Sequence, residues 1–133
     1  MLRLVALAFL VALPALAQDR ITTWCGGGVT GGGGGRSIAA DGTIIAQRRS
    51  LAAGPASETP LGRDEAAYRR WRAALDEAGF GSLRHQRPGN ISCSLALESA
   101  GVRHAITWSG TTPPAALPPA VRAVFLDLNG WTP

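Results

Sequence analysis

Asn90-Ile91-Ser92-Cys93-Ser94-Leu95-Ala96-Leu97 and Val102-Arg103-His104-Ala105-Ile106-Thr107-Trp108, joined through Glu98 and the turn Ser99-Ala100-Gly101, decide the fold. Ile91, Cys93, Leu95 and Leu97 point one way; Ser92, Ser94, Ala96 and Glu98 point the other. The second run repeats the pattern, with Val102, His104, Ile106 and Trp108 alternating with Arg103, Ala105 and Thr107. A period of two on both sides of a short turn predicts an antiparallel hairpin with one buried face.

Upstream, Asp64 to Ala78 carries a period nearer 3.6. Ala67, Trp71, Ala74, Leu75 and Ala78 fall on one helical face. Asp64 and Glu65 suit the positive end of the helix dipole, and Gly79 is a natural stop. Arg69, Arg70 and Arg72 among Asp64, Glu65, Asp76 and Glu77 read as a solvated face with i,i+4 pairs. Before the helix, Asp41-Gly42 separates Ser37-Ile38-Ala39-Ala40 from Thr43-Ile44-Ile45-Ala46. Asp-Gly between two such runs predicts a type I′ hairpin with strands over 36–40 and 43–49. A further strand is expected from Ile21 to Cys25, where β-branched and aromatic residues gather. Eight glycines lie between Gly26 and Gly35, and Gly31 to Gly35 are consecutive, which predicts a flexible or unusually bent connection. Residues 50–62 read as a loop, and Pro119 to Leu128 as a short closing helix with proline in its first turn. The fold class is therefore α+β. An antiparallel sheet of about five strands carries two helices on one face, in the order β-β-β-α-β-β-α.

The N-terminal end reads differently. Arg3 precedes an uncharged run from Leu4 to Leu13, then Pro14 and Ala15-Leu16-Ala17. This is the order of a secretory signal peptide, and its apolar run is about ten residues where a spanning helix needs roughly 20. Residues 1–17 are thus expected to be a signal peptide. The remaining 133 − 17 = 116 residues, 18–133, form one domain that is soluble, with no membrane contact after cleavage, in the periplasm or secreted. Cys25 and Cys93 are the only two cysteines, and in an exported chain they read as a disulfide.

Charge and motifs narrow the function. The 13 basic residues are all arginine, against nine acidic ones, and they are spread along the chain without a basic stripe bearing aromatics. Nucleic acid is not an expected partner. Gly26-x-Gly28-x-x-Gly31 matches a dinucleotide fingerprint in letters alone, since more glycine follows where a helix is needed. Gly35-Arg36-Ser37 lacks the lysine of a phosphate loop. His85 and His104 sit in no metal-ligand spacing, and His104 lies on the apolar face of its strand. No Gly-x-Ser-x-Gly elbow is present, and Asp76 and Glu77 are adjacent on an exposed helix face. No catalytic residue, metal or cofactor is expected, and the protein reads as a non-enzyme. Trp71 and Trp108 fall on core faces, whereas Trp24 and Trp131 are candidate anchors for a partner.

Gly27-Gly28-Val29-Thr30-Gly31-Gly32-Gly33, then Ile38 to Asp41-Gly42-Thr43, then a helix ending Leu75-Asp76-Glu77-Ala78-Gly79-Phe80, a hairpin and an apolar closing helix resemble a group of small exported bacterial proteins. The same order is distantly similar to the emfourin-type inhibitors of thermolysin-like metalloproteases. The resemblance implies a protease-inhibitor-like binding module with a protein partner such as a protease, and a contact segment at Gly27, Gly28, Val29, Thr30 and Gly31. The alternative expectation is a structural or envelope-associated protein with no discrete site, in which the glycines only link two strands.

Overall fold

The computed structural model describes residues 18–133; the expected signal peptide, residues 1–17, lies outside them. Seven strands form one sheet: β1 (Arg20–Gly27), β2 (Gly31–Ala39), β3 (Thr43–Leu51), β4 (Ser57–Arg63), β5 (Gln86–Arg87), β6 (Ile91–Ser99) and β7 (Val102–Ser109). Helix α1 (Glu65–Glu77) follows β4, and α2 (Pro119–Asn129) closes the chain. The strands lie in the order β4-β3-β2-β1-β6-β7-β5, antiparallel except for the short parallel pair β5–β7. The α+β class and the two helices agree with the reading of the sequence; the strand count of about five becomes seven.

Both helices pack on one face. Ile21 of β1, Ile38 of β2, Ile44 of β3, Cys93, Leu95 and Leu97 of β6, and Ile106 and Trp108 of β7 are buried. They share the core with Ala67, Tyr68, Trp71 and Leu75 of α1 and Val121, Val124, Phe125 and Leu128 of α2. Trp108 meets Phe125 edge-on, with centroids 4.7 Å apart. Burying each such large side chain contributes on the order of 2 kcal/mol. Helix α1 starts at Asp64, whose Oδ1 accepts a hydrogen bond from the Ala67 amide at 2.9 Å. It ends at Ala78, and Gly79 takes the left-handed conformation that lets the chain turn away. The expected i,i+4 pairs are present as Glu65–Arg69 and Arg72–Asp76.

Three readings of the sequence need correction. Gly31 to Gly35 are not a connector: they form the first half of β2, hydrogen-bonded between β1 and β3. The reason is close approach. A Cβ on Gly35 would run into the carbonyl oxygen of Thr23 on β1, and one on Gly32 into the carbonyl oxygen of Ser50 on β3. Trp24, across from this strand, lies within 5.8 Å of the Arg49 guanidinium on β3, so an indole and an arginine occupy space that β2 side chains would otherwise fill. Second, residues 57–62 of the expected loop belong to β4, which runs on to Arg63. This is an edge strand, and its Glu58, Pro60 and Arg63 are residues that edges tolerate. Third, the Asp41-Gly42 turn is not type I′. Only Gly42 has positive φ there, while Asp41 Oδ1 accepts the Thr43 amide at 2.9 Å. Two consecutive left-handed residues occur instead at Ala100 and Gly101, between the paired residues Ser99 and Val102.

Candidate functional site

The segment Gly27–Gly31 is the turn between β1 and β2. Gly27 ends β1, Gly28-Val29-Thr30 make the bend, and Gly31 opens β2. Gly28 and Gly31 have φ of 71° and 66°, values that side chains disfavour, so the tight bend needs glycine at both. Val29, between them, is fully exposed. The register brings two more exposed apolar residues beside it. Ile91 pairs with Gly27 from β6, and Leu51 pairs with Gly31 from β3. Leu51 and Ile91 are 57% and 47% exposed, but they lie on opposite faces of the sheet, Ile91 in step with Cys93 and Leu95 and Leu51 out of step with Ile44, so Val29 at the tip is the apolar residue the fold leaves most fully in water.

The bend is held in place from several directions. The Gly28 amide donates to the Asn90 carbonyl at 2.8 Å, and the Ala52 amide donates to the Thr30 carbonyl at 3.1 Å. The Gly32 amide donates to Thr30 Oγ1 at 3.3 Å. Two residues below the end of β1, Cys25 is bonded to Cys93, its direct partner across the β1–β6 ladder. The expected disulfide is therefore present, and it sits at the base of the tip. Trp24, the other sequence-derived contact residue, is half-buried on the face away from the helices. It is placed near the tip in the chain and aimed along Gly26, but it packs under Arg49. Leu51 and Ile91 were not legible in the sequence as neighbours of the bend, because only the register places one at each of its ends.

Trp131 is also half-buried, packed against the core and Gly62. His104 is a packing residue. Its Nε2 donates to the Leu83 carbonyl at 2.8 Å, which sets the tautomer, and its ring stands edge-on to Phe80 at 5.2 Å. His85 lies in a separate shallow cavity with Trp108, Pro114 and Ala116. Among the described residues, no three of the His, Cys, Asp and Glu side chains come together as metal ligands would. No helix among them is long and apolar enough to cross a membrane.

A second polar centre fixes the opposite end of β1. The Asp19 carboxylate accepts the Ala100 amide at 3.0 Å and Arg72 Nη1 at 3.0 Å, with Ser99 Oγ at 3.4 Å. Those bonds, the Ala100 amide first and Arg72 second, hold the Asp19 carboxyl below its usual range. Asp19 thereby fastens the left-handed Ala100 turn to α1. This is structural work.

No protein-family model matches the chain. No curated protein is significantly similar to it. The tip and its surroundings therefore rest on their own chemistry.

Proposed function

We propose that this is an exported, non-catalytic binding module that presents the β1–β2 tip to a protein partner, in the manner of a protease inhibitor. The observation that carries the reading is the fully exposed apolar side chain of Val29 on a bend tied down at Gly28, Thr30 and Cys25. A flexible loop loses conformational freedom when it is bound, and that loss opposes affinity. A bend already fixed by backbone hydrogen bonds and a disulfide loses little, so its apolar tip can convert contact into affinity. A few residues packed into desolvated pockets at the centre of an interface carry most of its energy, and Val29 is the residue the tip offers for such a place.

The test is inhibition of a thermolysin-type metalloprotease by the oxidised chain from Gln18 onward. Stoichiometric inhibition is expected, weakened at least about tenfold by Val29→Asp, because a charge must then be desolvated at the contact. Inhibition that Val29→Asp leaves untouched would remove the tip from the interface. No inhibition at all would overturn the inhibitor reading.

A further inference from the structure

The helix side of the sheet carries an unexplained concentration of positive charge. Alternate residues of a strand share a face. Ile38 of β2 and Ile44 of β3 are core residues, so Arg36 and Gly34 on β2, and Ala46 and Arg48 on β3, look to the same side. Arg36 pairs across to Ala46, and Gly34 to Arg48, which sets the two arginines diagonally on adjacent strands. Between them lies a cavity of about 510 Å³, floored by the glycines of β2 and walled by Ser57, Thr59 and Asn129. No carboxylate lines it.

The arginines are not used by the fold. The ion pairs among the described residues involve Arg69, Arg72 and Arg103, and neither Arg36 nor Arg48 is in one. Arg36 Nε is shut off from solvent and has no hydrogen-bond partner. A buried guanidinium nitrogen left in that state is unfavourable unless something accepts from it. The wall opposite is held rigidly. Thr23, fully buried, accepts the Arg36 amide at 3.0 Å and shares a hydrogen bond with Asn129 Oδ1 at 3.0 Å, pinning the end of α2 against the strand that carries Arg36. The glycines also have a role here: with no side chain at Gly34, a ligand can reach the β2 backbone between the two guanidinium groups.

We infer that this cavity binds an oxyanion, the phosphate or carboxylate group of a small solute, between Arg36 and Arg48. Planar guanidinium groups offer paired donors that match both kinds of anion, and the Thr59 hydroxyl adds a donor of neutral character. The inference is independent of the partner proposed for the tip, which lies on other residues.

Calorimetric titration at low ionic strength tests it, with inorganic phosphate and with acetate as separate probes. Saturable binding in the millimolar range is expected for at least one probe, and the tighter of the two identifies the group the site prefers. Arg48→Gln and Arg36→Gln should each weaken it about tenfold, whereas Arg84→Gln, remote from the cavity, should not. Arg48 is exposed and unpaired, so Arg48→Gln is expected to fold, and its thermal midpoint checks that it does. Absence of saturable binding with either probe overturns the inference. So does equal weakening by Arg84→Gln, which would mean attraction to overall charge, or binding that Arg48→Gln leaves unchanged in a folded protein.

Discussion

Gly34 and Gly35 are neighbours in β2, yet their surroundings differ. A Cβ at Gly35 would collide with the Thr23 carbonyl and come within 2.9 Å of the Trp24 Cα. The nearest atom to a Cβ at Gly34 would be the Gln47 carbonyl oxygen, at 3.0 Å, with Arg48 Cα and Cγ in ordinary contact at 3.9 Å. Backbone cannot yield as a side chain can, so Gly35→Ala should lower unfolding free energy by about 3 kcal/mol. Gly34→Ala should stay within about 1 kcal/mol of the parent, since the stiffer unfolded chain offsets part of the crowding. Urea unfolding of both variants decides this, and equal effects would show that the β1–β2 approach is not what demands glycine. Asp19 gives a test against pH. Its carboxyl is held below the ordinary value near 3.8, so its contribution is fully present above that value. The contribution is lost as pH falls from there through the lower folded value. Asp19→Asn should therefore be less stable at neutral pH and lose less stability between pH 5 and pH 3, by about the width of that titration. Parallel stability curves for the two proteins would count against the Asp19–Ala100–Arg72 junction.

At the scale of elements, β4 explains how the sheet ends. Its sequence, Ser-Glu-Thr-Pro-Leu-Gly-Arg, is mostly exposed, and Pro60 cannot offer an amide to an incoming strand. Replacing it restores a donor on an open edge. Pro60→Val is expected to raise self-association, seen as a concentration-dependent shift in sedimentation, while secondary structure is unchanged. A strictly monomeric Pro60→Val protein would mean that Glu58 and Arg63 protect the edge unaided. The same residues show why β4 could not be read from the sequence. What defends an edge strand is also what marks a loop, and only its pairing with β3 separates the two. By contrast β6, β7 and α1 were legible because burial on one face writes its period directly into the residues. Gly31 to Gly35 carry no such period, and their strand is imposed by β1 and β3. At the candidate site the bend itself was legible from Gly27 to Gly31. The neighbours that its two ends meet, Ile91 and Leu51, were not, because only register places them there, and Arg36 and Arg48 share a face for the same reason.

Across the whole molecule, β1 joins two parts of the chain: β2 to β4 on one side, β6, β7 and β5 on the other. The Cys25–Cys93 bond crosses that seam with a separation of 68 residues. Tying ends that far apart restricts the unfolded chain by about 4 kcal/mol on chain-entropy grounds. Cys25→Ala with Cys93→Ala should lose about 3 kcal/mol in chemical unfolding, and affinity at the tip should fall with it. Undiminished stability would mean that the β1–β6 ladder holds the seam alone. The central place of β1 also sets a timetable for a chain that emerges N-terminus first. Its pairing with β2 is available early, because β1 to β4 follow one another as neighbours. Its other side waits for β6, so for the interval before residue 91 appears a middle strand of the finished sheet is an open edge. During that interval Cys25 is a lone thiol, and the half of β2 beside it is all glycine. A strand that ends in the middle of the sheet is, while the protein is being made, the part most in need of a companion.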